Sequence, residues 1–251
     1  MTAWLTPEEA REAIRSGDGA GVRIAVLDSG IEIDHPDFCG RRLRDDWVME
    51  GERWVCGEGK DVYGHGTALA SIIWKLAPAA EIGSFRVLGP YLSARSVLVA
   101  RAAERALELG YEVINCSFTC GLPGHLPLYK SWADRAARLG VSVVAASGSH
   151  EEQRPEWPAH LGTVLGVDCG PGPDSGLGRR EGSPVEFLAP GAEVDVAWNQ
   201  GGRRLMTGSS FAAAHLSGLV ARILSRCEVR DAHLVKAICR ACAAASVELP
   251  V

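Results

Sequence analysis

The sequence predicts an α/β fold of three layers, a mostly parallel central sheet with helices on both faces, and three observations carry that reading. Short apolar, β-branched runs recur along the chain. Amphipathic stretches of helical spacing separate them, and glycine closes those stretches. Runs at 22–27, 81–87, 111–116, 141–146 and 163–167 lack the alternation of a half-solvated strand, so they read as parallel strands buried on both sides. Between them, 93–109 and 126–139 place apolar residues on one helical stripe and stop at Gly110 and Gly140. Strand, helix, strand, helix is the order that builds a parallel sheet covered on both faces. Further on, strands are expected near 185–188 and 194–198, then a helix of small residues over 210–225 and a terminal helix from Asp231. No internal repeat interrupts the pattern.

The 251 residues, 47% apolar and 23% charged, suit one compact domain over 1–251, with 1–21 as a helical extension packed on it. A net charge of −5 supplies no basic surface for nucleic acid or anionic membrane. The pairs Arg41-Arg42, Arg179-Arg180 and Arg203-Arg204 read as solvated loop charges. Residues 1–21 are polar and lack the apolar centre of an export signal, which sets a cytoplasmic expectation. No apolar run reaches the ~20 residues that span a bilayer; 211–224 comes closest and is interrupted. Eight scattered cysteines show no zinc spacing and are expected to be reduced core thiols, with Cys39 and Cys56 the pair to test first for a disulfide. Glycine and proline fill 170–178, predicting a surface loop or flap.

Three residues carry candidate chemistry. Asp28 follows the first strand in Val26-Leu27-Asp28-Ser29-Gly30, at the sheet edge where ligands gather, although a cap or loop role explains a lone aspartate there. His65, in Gly64-His65-Gly66-Thr67, opens a helix between two glycines that permit close backbone approach; the positive helix end is expected to disfavour imidazolium and keep the ring neutral. Ser210, in Gly208-Ser209-Ser210-Phe211-Ala212, enters a helix of small residues, where N-capping is the plain alternative. Capping does not explain all three together in that order.

With these motifs the chain resembles the subtilisin-like serine proteases. Val26-Leu27-Asp28-Ser29-Gly30-Ile31 with His35-Pro36-Asp37-Phe38 is similar to the family's aspartate motif. Gly64-His65-Gly66-Thr67 is similar to its histidine motif. Gly208-Ser209-Ser210-Phe211-Ala212 with His215 and Gly218 is similar to its serine motif, so the resemblance makes Ser210 rather than Ser209 the nucleophile. It implies a subtilisin-like fold and a serine endopeptidase in which Asp28 orients His65 and His65 takes the Ser210 proton. Val113-Ile114-Asn115-Cys116-Ser117-Phe118 resembles the strand that pairs with substrate, and Leu188-Ala189-Pro190-Gly191 another recurrent segment. The substrate positions it implies are Ser117, Phe118, Thr119, Tyr91, Leu92, Ala146, Ser147 and Gly148. Its partner is a peptide or protein, with no nucleic acid, membrane or cofactor; oligomeric state is not legible.

Four departures from the family pattern stand out. The asparagine that donates to the oxyanion is replaced by Ser149, a shorter donor, with His150 beside it. The helix opened by His65 runs on through Ser71-Ile72-Ile73-Trp74-Lys75-Leu76 without the family's calcium loop, so Asp37 loses its partners as a metal ligand. Tyr91 and Leu92 against Phe118 and Thr119 are expected to narrow the groove, favouring selective processing, such as precursor maturation, over digestion. Only about 21 residues precede the first strand, so no inhibitory prodomain is expected. Two other readings stay open: a pseudoprotease that binds peptides with impaired turnover, favoured by Ser149, and a peptide ligase or cyclase working through the same acyl-enzyme.

Overall fold

The computed structural model describes residues 4–51, 53–148, 154–170 and 176–245. Helix α1 (Pro7–Ser16) precedes β1 (Arg23–Asp28), a β2–β3 hairpin (Asp46–Glu50, Arg53–Cys56) and α2 (His65–Leu76). Then come β4 (Glu81–Arg86), α3 (Ser96–Glu108), β5 (Val113–Cys116), α4 (Leu126–Arg138), β6 (Ser142–Ala146) and β7 (Leu165–Gly170). The chain continues with β8 (Gly178–Arg179), β9 (Phe187–Pro190), β10 (Val194–Trp198), β11 (Gly202–Met206), α5 (Ser209–Leu224), α6 (Ala232–Cys242) and β12 (Ala244–Ala245).

Among the described residues, ten strands form one sheet in the order β12-β8-β9-β7-β6-β5-β1-β4-β2-β3. Its body is parallel, and only β2 with β3 and β8 with β9 run antiparallel. Side chains alternate across a strand, and β1 shows the result: Ile24 and Val26 join the core under α2 and α5, while Ala25 and Leu27 join the core under α3 and α4. This two-faced burial is why the strands read as continuous apolar runs. Parallel order brings the C-terminal ends of β1, β5 and β6 to one edge.

The elements differ from the sequence expectation mainly at their ends. Strand 22–27 extends to Asp28, 163–167 becomes Leu165–Gly170, 185–188 becomes Phe187–Pro190, and the helix expected over 93–109 starts at Ser96. Gly170 closes β7 and Gly178 opens β8, so the ends of the expected 170–178 loop lie in the sheet; 171–175 fall outside the described residues. Neither the β2–β3 hairpin nor β11 was foreseen, because charged side chains mask their alternation. Trp47 and Trp54 turn their rings to the α3 and α4 core, and the Arg105 guanidinium lies 4.9 Å over Trp47. All eight cysteines are unpaired thiols, Cys39 and Cys56 included. Among the described residues no helix is long and apolar enough to cross a membrane.

The termini are tied to the sheet's helical cover. In α1, the Thr6 hydroxyl accepts from the Glu9 N–H and the Glu9 carboxylate accepts from the Thr6 N–H, which closes the first turn. Ala10 and Ala13 are buried, and Arg222 of α5 donates to the carbonyls of Ile14 (2.6 Å) and Leu76 (2.5 Å). At the other end, buried Lys236 of α6 donates to the Val164 (2.6 Å) and Gly162 (3.0 Å) carbonyls and pairs with buried Glu186 at 2.9 Å. Arg240 closes on the same carboxylate at 2.6 and 2.9 Å. Removing one partner of such a pair strands the other charge without compensation. Glu186→Ala is therefore expected to cost about 3 kcal/mol of unfolding free energy in urea denaturation; a loss under about 1 kcal/mol would show that solvent reaches Lys236 freely.

Candidate active site

Asp28 is the last residue of β1, His65 the first of α2, and Ser210 the second of α5. What brings the first two together is the close passage of the 28–31 and 60–66 segments. Gly30 (φ 106°) bridges to Asp61, and a β-carbon on it would run into the Lys60 carbonyl. A β-carbon on Gly66 would in turn strike the Gly30 carbonyl. Gly64 (φ 115°) ends the loop against the Trp198 ring, where no side chain fits.

Asp61 fixes the start of α2. Its carboxylate accepts from the N–H groups of Tyr63 (2.9 Å), Gly64 (2.7 Å) and Thr67 (2.8 Å) and from the Thr67 hydroxyl (2.7 Å). The Thr67 N–H is one of the donors a helix N-terminus leaves unpaired, and the Gly66 N–H finds the Ser29 hydroxyl at 3.1 Å. Sequence reasoning missed this residue, although an aspartate four positions before a helix-opening histidine is a capping signal.

The His65 Nδ1 lies 2.9 Å from Oδ1 and 3.0 Å from Oδ2 of Asp28, both residues being buried. A carboxylate only accepts, so Nδ1 carries the hydrogen and Nε2 is left as the basic nitrogen. Asp28 is itself positioned: its Oδ1 accepts from the Ser29 N–H (2.8 Å) and hydroxyl (3.1 Å), and its carbonyl from the Val87 and Leu88 N–H groups. Burial opposes charging His65, yet the Asp28 charge and hydrogen bond, helped by Asp61, outweigh it and raise the ring's pKa. The expectation that the helix end leaves imidazolium disfavoured is outweighed: the Asp28 carboxylate bonded to Nδ1, with the Asp61 charge as a smaller contribution, favours the protonated ring.

The Phe211 ring, next in chain to Ser210, meets the His65 ring edge-on with centroids 5.7 Å apart. The Ser210 hydroxyl donates to the Ser117 carbonyl at 3.3 Å and forms no hydrogen bond with His65 in this structure. Around it the start of α5 is tied to two strand ends. The Ser117 hydroxyl donates to the Ser210 carbonyl (3.1 Å), Asn115 Nδ2 donates to the Ser117 oxygen (3.0 Å), and the Ser217 hydroxyl donates to Asn115 Oδ1 (3.0 Å). The Ser209 hydroxyl donates to the Ser147 carbonyl (2.7 Å). Asn115, Ser209 and Ser217 are supports that motif reading passed over, since polar residues inside apolar runs were its only sign.

The expected substrate positions divide. Ala146, Ser147 and Gly148 follow β6, and Ser117, Phe118 and Thr119 follow β5, beside the start of α5. Leu92, Phe118 and Thr119 line a cavity of about 730 Å³. Tyr91 is 88% exposed and lies outside that lining. Ser149 and His150 lie outside the described residues. Asp37, read from the sequence as having lost its partners as a metal ligand, pairs with Arg203, which also reaches Asp195 at 2.7 Å. A guanidinium on that carboxylate does not fit a cation site there, and α2 runs unbroken beside it. Among the described residues no group of three or more His, Cys, Asp or Glu is placed to hold a metal.

With this geometry in view, comparison with known proteins is informative. Residues 19–245 match the sequence profile of the Subtilase family. Subtilisin DY of Bacillus licheniformis is 29% identical over 237 residues, covering 87% of this chain and 82% of that protein. M-protease of Shouchella clausii (strain KSM-K16) is 30% identical over 220 residues, covering 82% of this chain; the chain spans 54% of its length. Among solved structures, a cold adapted subtilisin-like serine proteinase superposes with a TM-score of 0.74 at 24% identity, covering 88% of this chain and 82% of its own, and shares the fold.

The raised His65 pKa has a definite sign. Protonation is favoured in the folded state, so its contribution to stability is complete below the unfolded histidine pKa and disappears as pH climbs through the folded value. A reaction needing neutral His65 should therefore switch on with an apparent pKa above the ordinary histidine range of about 6.5. In Asp28→Asn, burial acts with little opposition: the apparent pKa drops below that of the wild type while kcat falls by about 10⁴. Titration of the imidazole by NMR alongside a pH–rate profile checks both; an unmoved pKa would refute the assigned cause.

Proposed function

The chain belongs to the subtilase family of serine peptidases, and from that premise we propose that Ser210, His65 and Asp28 hydrolyse peptide bonds in substrates laid between the segments after β5 and β6. The observation that carries this reading is the buried Asp28–His65 bond, which leaves Nε2 basic at the sheet edge where α5 begins. A serine hydroxyl is a weak nucleophile at neutral pH, so Nε2 takes the Ser210 proton as Oγ attacks the carbonyl carbon. The proton then passes to the leaving amine, and water releases the acyl group by the same route in reverse. The Ser210 N–H, among the first in α5 and without an intrahelical acceptor, is one oxyanion donor; the Ser149 hydroxyl is proposed as the other.

Selective processing rather than digestion is the role we favour. The cavity beside Leu92 and Phe118 is large enough to admit a bulky side chain of a substrate. Eight unpaired cysteines, two of them exposed, suit a reducing compartment such as the cytoplasm. A second reading, a peptide-binding module with impaired turnover, draws on the Ser210 hydroxyl resting on the Ser117 carbonyl rather than on His65.

A fluorophosphonate probe separates the two. Labelling that vanishes in Ser210→Ala is expected for the peptidase, with kcat down about a millionfold, the cost measured when this triad is broken in subtilisin. A folded protein that resists the probe would support the binding module. Ser149→Asn is expected to raise kcat by about tenfold or more with little change in KM, because its longer amide reaches the developing oxyanion; unchanged kcat would remove Ser149 from the oxyanion role.

A further inference from the structure

A carboxylate that none of the steps above employs stands between the two segments proposed to hold substrate. The Trp157 N–H donates to the Cys120 carbonyl and the Cys120 N–H to the Trp157 carbonyl, each at 2.9 Å. This two-bond bridge fastens residue 157 to the wall formed by 117–120. Glu156, one residue before it, reaches across to the other wall: a β-carbon on Gly148 would overlap the Glu156 carboxyl group, so the acid lies directly on the Gly148 backbone. The Glu156 backbone is pinned by His160, whose Nδ1 accepts from the Glu156 N–H at 3.2 Å and whose N–H donates to the Glu156 carbonyl at 3.0 Å.

The Glu156 carboxylate is half-buried and makes no hydrogen bond or ion pair with any described residue. Three other acids among the described residues are engaged. Asp168 accepts from Ser147 at 2.9 Å and Arg180 at 3.0 Å, and Asp28 and Asp61 hold the His65 helix. A partly desolvated carboxylate with no partner among the described residues favours the arrival of a cation. Its position says which one. Gly148 directly precedes Ser149, the proposed oxyanion donor, and Ser147 is tied to Ser209 beside the nucleophile. A substrate lying between these walls with its scissile carbonyl at Ser210 would accordingly bring the residue before the cut beside Gly148 and Glu156.

We propose that Glu156 is a specificity-determining residue that selects lysine or arginine immediately before the cleaved bond, an inference that rests on the peptidase reading for its substrate and on the Gly148 contact for its site. The test uses two peptides, acetyl-Ala-Ala-Pro-Arg and acetyl-Ala-Ala-Pro-Phe, titrated calorimetrically into the Ser210→Ala protein, together with their aminocoumarin amides offered to the active protein. The arginine peptide is expected to bind about ten- to a hundredfold more tightly, the range of one charge-assisted contact, and Glu156→Gln to close the gap. Glu156→Lys should turn the preference away from arginine. Equal or tighter binding of the phenylalanine peptide, or a preference that survives Glu156→Gln, overturns the proposal. Arginine selectivity in binding with neither amide cleaved leaves this inference standing while the hydrolytic reading falls; equal kcat/KM on both amides does the reverse.

Discussion

The site depends on a buried hydrogen bond between the end of one strand and the beginning of one helix. Taking the Asp28 and His65 side chains out of water costs free energy, and the cost is met only if their geometry is held without slack. Three local devices hold it. Ser29 donates twice to the Asp28 carboxylate, Asp61 accepts from the N–H and hydroxyl of Thr67 in the first turn of α2, and the glycines at 30, 64 and 66 let the chain pass where any β-carbon would collide. Because Asp61 also adds negative potential at the imidazole, the group that builds the helix start tunes the base it presents.

The second half of the site is held by a different kind of contact. The start of α5 is tied through serine hydroxyls to the strand ends after β5 and β6, with Asn115 buried between Ser117 and Ser217. Each such bond is worth only about 1 kcal/mol net, but leaving any member unpaired in that interior costs more, so the set is made together or not at all. The nucleophile and the two walls that would flank a substrate are consequently parts of one rigid unit. The Ser210 hydroxyl itself donates to the Ser117 carbonyl, on one of those two walls.

Much of this was legible in the sequence, and the reason is physical. Strands buried on both faces have no polar side to confuse their pattern, so β1, β5 and β6 stand out, and Asp28, His65 and Ser210 sit where apolar runs meet glycine-bounded turns. The β2–β3 hairpin was hidden because an edge strand keeps one face in solvent and carries Arg53 and Glu50 beside its tryptophans. Asp61, Asn115 and Glu156 were hidden for another reason. Their importance lies in what they touch across the fold, and no local spacing encodes that Glu156 rests on Gly148 or that Asn115 faces Ser217.

The missing metal loop raises the question of what steadies the outer side of α2. Arg203 pairs with Asp37 and Asp195, but all three are substantially exposed, and ion pairs of that kind contribute at most about 1 kcal/mol. Burial decides the matter in favour of other contacts. His35 is buried, donates from Nε2 to the Gly202 carbonyl at 2.8 Å and accepts from the Asp37 N–H at 3.1 Å, which fastens the β10–β11 ribbon to the turn after β1. From that ribbon Trp198 packs on the Gly64 backbone and meets Tyr63 edge-on at 5.7 Å. The ribbon thus braces the residue immediately before His65, and it does so with a buried imidazole and an indole, whose contribution does not fade with ionic strength as that of a surface ion pair does.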